Sequence, residues 1–144
     1  MLISLKTEYG IKALVALSLA SPKQLALSQI AKEYSIPAKF LERILNDLRK
    51  GGIVESSRGK NGGYSLAQSD DKISLLDVVE CLEGGINVAS GNRIKAVSRK
   101  AIDRGLNRIY QKVTAGIERD LRQVSLLDLA KECRGTDGGY NYHI

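Results

Sequence analysis

Apolar and polar positions along this chain follow a helical rhythm that is interrupted once, near its middle. Residues 6–20 place apolar side chains at Ile11, Leu14, Val15, Ala16 and Leu17, which predicts a mostly buried helix ending before Ser21 and Pro22. Two shorter helices follow. The first is expected to start at Ser28, as its N-cap, and to bury Ile30, Ala31 and Tyr34. The second begins at Pro37, whose fixed φ suits a first helical turn, and runs to Lys50 before the stop at Gly51 and Gly52. Along it Phe40, Leu41, Ile44, Leu45 and Leu48 share one face by their three- and four-residue spacing. Lys39, Glu42, Arg43, Asn46 and Arg49 are left to the other faces.

The interruption is the stretch RGKNGG at 58–63. Ile53–Ser57 and Tyr64–Ala67 read as two short strands around it, so it is the loop of a hairpin. Asn61, Gly62 and Gly63 are expected to supply positive φ for the turn. Missing Cβ atoms let such a tip lie against a phosphate backbone or enter a minor groove, and Arg58 and Lys60 carry the charge for that contact. Two helices joined by the tight turn SIP, with a basic hairpin directly after them, form a winged helix-turn-helix pattern. Ser28 and Gln29 would then hold phosphates through the start of their helix. Tyr9 either does the same or packs in the core.

After the wing, ISLLDV at 73–78 and VSLLDL at 124–129 repeat one helix-start pattern: a serine N-cap, an aspartate at the third helical position and apolar flanks. Between them Ile94, Val97, Ile102, Leu106, Ile109, Val113, Ile117, Leu121 and Val124 recur every three to five residues and predict one long amphipathic helix. Its stripe is larger than a monomer leaves exposed, so Ile102, Leu106, Ile109, Val113 and Ile117 are expected at a dimer interface within residues 93–124. Arg93, Arg99, Lys100, Arg104, Arg108 and Lys112 lie on the opposite, solvated face.

Length and charge sharpen this picture. A chain of 144 residues suits one compact domain with an appendage. Its longest apolar stretch, ALVALSLA at 13–20, is far below the roughly 20 residues that span a bilayer, and no signal peptide is evident, so the chain reads as cytoplasmic. Of the net charge of +6, residues 1–67 hold ten Lys and Arg against five acids, and residues 68–144 twelve against eleven. That asymmetry points to a polyanion, either nucleic acid or an anionic surface. No Ser/His/Asp or Cys/His set, paired carboxylates with a base, or GxxxxGK loop is present, so an enzyme is not expected.

LKTEYGIKALVALS at the start, IPAKFLERILNDLRKGGIVESSRGKNGGYSLA in the middle and ISLLDVVECLEG after it resemble the Rrf2 family of transcription regulators. The resemblance implies a mainly α protein with a small β-hairpin: a winged helix-turn-helix domain over residues 1–84, dimerisation helices over 85–132 and a flexible tail over 133–144. It further implies a homodimer on double-stranded DNA at near-palindromic operators, mostly as a repressor. Lys39, Glu42, Arg43, Arg58 and Lys60 match the family's DNA-contacting pattern, with Asn61 beside them in the wing. Chemically, Arg43 suits a bidentate guanine contact and Glu42 a cytosine amino group.

One family feature is missing. Cluster-binding members carry three closely spaced cysteines where this chain reads GGINVASGNRIKAVSRK, a segment without cysteine, histidine or carboxylate. Cys81 reads as a small buried thiol inside a helix, and Cys133 as a thiol after the last helix. No metal site and no cofactor are expected from these residues. An iron-sulfur cluster shared across a dimer, or redox sensing through Cys81 or Cys133, stays open as an alternative. The ending RGTDGGYNYHI is too polar and glycine-rich to be expected as a helix. It closes on Tyr140, Tyr142 and Ile144, as in the family's cysteine-metabolism branch, and that resemblance implies cysteine synthase as a partner of the tail.

Overall fold

The computed structural model describes residues 3–86, 88 and 100–142, the stretch from 136 onward as backbone alone. Helix α1 (Leu5–Ala20) runs through the centre of the core, with Ala13, Leu14 and Leu17 essentially inaccessible. Gly10 lets it lie close to its neighbours: a Cβ there would meet Leu82 at 2.5 Å and Ile44 at 3.3 Å. Around α1 pack α3 (Ala38–Lys50), α4 (Leu75–Glu83) and α6 (Leu126–Tyr142), while α2 (Leu27–Glu33) packs on α3. Strands β1 (Val54–Ser57) and β2 (Gly63–Leu66) pair antiparallel with Val54 opposite Leu66 and Ser57 opposite Gly63. The mainly helical class with one hairpin is the one expected.

Helix ends follow the sequence signals with two shifts. Helix α2 is capped at Ala26, and the Gln29 side chain accepts from its N–H at 3.2 Å, so Ser28 lies inside the first turn and is not the N-cap. A side chain reaching back from the third helical position does the capping here. Pro37 is the residue before the first turn of α3, one position earlier in role than expected. Between α2 and α3, Ser35 adopts φ 54°, and the N–H of buried Ile36 donates to the Ala31 carbonyl at 2.9 Å. That is a Schellman ending with serine at the position glycine usually takes.

Both repeated start patterns form capping boxes, and they meet. Ser74 and Asp77 cap α4 reciprocally at 2.9 and 3.1 Å, and Ser125 and Asp128 cap α6 at 3.0 and 3.1 Å. The two strand-like entries pair: Leu75 N–H donates to Val124 O at 2.7 Å and Leu126 N–H to Ile73 O at 2.9 Å. At the far end of α4, Glu83 receives the Thr7 hydroxyl at 2.6 Å, the Ser4 N–H at 3.1 Å and the Ser4 hydroxyl. Those donors, Ser4 first and Thr7 next, hold the Glu83 carboxyl below its usual range.

Helix α5 (Ala101–Arg122) packs against α4, yet none of its residues is buried. Ile94, Val97, Arg93 and Arg99, expected on the same helix, lie outside the described residues. The backbone stays helical through Tyr142, so residues 133–142 are a continuation of α6 where the sequence argued against a helix. Once the Ser125 cap and buried Leu126 and Ala130 have nucleated the first turns, each added residue costs far less than the nucleus. The side chains of Tyr140 and Tyr142, and Ile144 altogether, fall outside the described residues.

Candidate nucleic-acid interface

Burial of Leu41, Ile44, Leu45 and Leu48 orients α3 and turns Lys39, Glu42 and Arg43 to solvent. Lys39 and Arg43 are four residues apart and Glu42 three from Lys39, so all three crowd one side of the helix near its start. Further along, Arg49 donates to Asn46 Oδ1 at 2.8 Å and is held along the helix. Phe40 meets Tyr9 edge to face, with ring centroids 5.7 Å apart, which ties the start of α3 to α1. Tyr9 therefore packs against the core, the second of its two readings, with the Lys12 ammonium 5.9 Å above its ring.

The hairpin follows α3 directly. Its tip closes by the Gly62 N–H donating to Gly59 O at 3.0 Å, which sets Lys60 and Asn61 at the two exposed corners and Arg58 just before them. Positive φ is supplied by Gly59, at 106°, and not by Asn61 or Gly62, which corrects the expected turn. Gly62 is glycine for space, since a Cβ there would strike the Ser57 carbonyl.

At its root the wing is part of the helix-turn-helix. Leu25 and Tyr64 exchange backbone hydrogen bonds at 3.0 and 2.8 Å, and Ser57 Oγ donates to Gln24 Oε1 at 2.7 Å. Gly63 makes this approach possible, because a Cβ there would sit 2.6 Å from Leu25 O. Leu25 and Gln24 were not legible as site residues; the signal was Gly63 opening a strand, where glycine marks close backbone approach. Exposed Ser28 and Gln29 begin the helix that this bridge anchors, and the Gln29 carbonyl oxygen is committed to its cap. The bridge thus joins the wing to α2, while α3 leads straight into β1.

Comparison with known proteins places this arrangement. The Rrf2 family, described as iron-dependent transcriptional regulator, matches residues 3–132. The chain belongs to the Rrf2 family. IscR of Cereibacter sphaeroides, an HTH-type transcriptional regulator, is 31% identical over 144 residues, covering 91% of this chain and 88% of the relative. An Rrf2-like relative from Rhodobacter capsulatus is 40% identical over 89 residues, and the match spans 59% of its length and 59% of this chain. Among solved structures, CymR, the global cysteine regulator of B. subtilis, superposes with a TM-score of 0.76 at 27% identity over 92% of this chain and 98% of that one. IscR of T. potens gives 0.73 at 28% identity, over 92% and 88%. These relatives are named as regulators, not enzymes. Among the described residues no helix is long and apolar enough to cross a membrane.

An Rrf2 chain raises the question of iron, and the donors here do not fit it. Among the described residues no three His, Cys, Asp or Glu side chains come together as ligands. Cys81 is half-buried with its thiol at 3.5 Å from the Asp47 carbonyl near the end of α3. Burial first, then the Asp47 carboxylate, push that thiol up, against the thiolate a metal needs, with Lys6 partly opposing. Cys133 is exposed, on α6, in a groove shared with α1 and Tyr34, and so is not the buried thiol that a reducing compartment suggests by default.

Proposed function

We propose that this Rrf2 regulator binds a near-palindromic operator in double-stranded DNA as a homodimer and represses transcription from it. The observation that carries the reading is the Leu25–Tyr64 bridge, which makes the basic wing and the helix-turn-helix one rigid reader. In that reader α3 enters the major groove, where Arg43 addresses a guanine, Glu42 a cytosine amino group, and Lys39 a phosphate. Arg58, Lys60 and Asn61 bring the wing to the adjacent backbone or minor groove, and Ser28 and Gln29 add phosphate contacts at the start of α2. Dimerisation through Ile102, Leu106, Ile109, Val113 and Ile117 of α5 sets the two α3 helices about one DNA turn apart.

Titrating operator and random duplexes against salt tests it. Arg58→Ala should weaken both alike and reduce the salt slope by about one unit. Arg43→Ala should cost about 1–3 kcal/mol on the operator alone and relax one position per half-site. Equal losses on both duplexes for both variants would refute this division.

A second reading concerns the signal. Similarity to CymR, named a global cysteine regulator, supports control by sulfur status through the C-terminal Tyr140, Tyr142 and Ile144 docking on cysteine synthase. Backbone amides would take the terminal carboxylate while isoleucine fills an apolar pocket. Removing Ile144 should abolish co-purification of the two proteins from the source cells, and equal recovery without it would rule the reading out.

A further inference from the structure

Among the described residues, the large apolar side chains left exposed fall on two helices. Leu5 and Leu19 are on α1, and Ile102, Leu106, Ile109 and Val113 are on α5. An open groove of about 620 Å³ lies between α1 and α6, walled by Ile11, Val15, Leu19 and Leu129, with Tyr34 and Cys133 beside them. Groove and stripe are both apolar, and both lack a cover in the single chain.

We propose that the α1/α6 groove of each protomer receives the first half of its partner's α5, so that the dimer is clasped twice. The proposal rests on the dimer reading above and names the surface that completes it. Spacing argues for it first. Ile102, Leu106, Ile109 and Val113 lie on one face over eleven residues, about 16 Å of helix. Two helices crossing each other touch over roughly two turns, so an α5–α5 crossing that covers Ile109 and Val113 leaves Ile102 and Leu106 open.

Area argues for it next. The exposed fractions of the four stripe residues, 69, 40, 56 and 47%, amount to about two whole residues per copy. Stable interfaces bury roughly 800 Å² and 20–30 residues per partner, several times more. Adding the groove walls brings α1 and α6 into the contact and supplies the missing share. Symmetry closes the argument: groove on stripe, used once in each direction about a two-fold axis, leaves neither surface over and cannot propagate into a filament.

The test is complementation between two exposed positions. Leu19→Asp spoils the groove and Ile102→Asp the stripe, and each alone should weaken its homodimer in sedimentation. Mixed, the two variants form a heterodimer in which one clasp carries both defects and the other is wholly native. A clasp already broken is not broken twice, so native mass spectrometry should show the heterodimer in about tenfold excess over its statistical share. Leu19→Ala should shift the homodimer in the same direction, which guards against misfolding of the aspartate variant. Alkylation of the native Cys133 should slow as protein concentration drives dimer formation. An intact Leu19→Asp dimer, or mixing at the statistical ratio, overturns the clasp and leaves the α5 dimer standing. A monomeric native protein overturns both. Tighter dimerisation after truncation at residue 135 would mean that the chain's own C-terminus fills the groove, and would also overturn the proposal.

Discussion

Helices α3 and α5 carry apolar stripes of the same kind and meet opposite fates. In α3 four of the five stripe residues are fully buried and the fifth packs on Tyr9; in α5 none is. The difference lies in what surrounds them. Helix α3 is enclosed by α1, α2, α4 and β1, whereas α5 rests chiefly on α4. An apolar face inside one chain is a core; the same face without neighbours is an interface waiting for a second copy.

The largest expected effect breaks the outer half of this comparison. Ile109→Asp should split the dimer in sedimentation and lower operator affinity by about 10²–10⁴-fold through lost avidity, while the winged half keeps its fold. An intact dimer with unchanged affinity would show that the α5 stripe is not the seam. The inner half responds the other way. Leu45→Ala should cost about 2–5 kcal/mol in chemical denaturation, because Leu45 is fully buried among packed neighbours.

A smaller effect probes what seals the finished half. Glu83→Ala removes the carboxylate that ties α1 to α4 and should cost about 1 kcal/mol. Since the Glu83 pKa is lowered by folding, its contribution is complete above the ordinary carboxylate range and fades as pH falls through the folded value. The stability difference between native protein and variant should therefore shrink in acid, and a gap that is constant down to low pH would contradict the clamp. Smallest is Ser35→Gly, which relieves a left-handed φ at the end of α2 and should stabilise by about 0.5–1 kcal/mol. If thermal unfolding drops instead, the Ser35 side chain has a role that its backbone angle does not reveal.

Much of the winged half was legible because its signals are local. The apolar spacing of α3, the stop at Gly51, and the serine-aspartate boxes of α4 and α6 each lie within one turn of the structure they specify. Where reading failed, the cause was a contact distant in sequence or a choice between near-equal local options. Ser28 looked like a cap because serine usually is one, yet Gln29 reaching back to Ala26 took that place. The turn angle moved to Gly59 because the Gly62 N–H closes on it, and Gly62 and Gly63 were needed for space against other backbone.

The family, the helix pattern and the basic character of the reading face follow from residue order alone, since periodicity, caps and charge are properties of neighbours along the chain. Tertiary structure decided the pairing of Leu25 with Tyr64, the clamp of Glu83 on Ser4 and Thr7, the meeting of the two capping boxes, and the groove between α1 and α6. Each joins residues 39 to about 120 positions apart, and no local rule of spacing or propensity selects one such partner among many. Packing selects it, because burying the shared core around α1 leaves one arrangement in which these backbones and side chains meet.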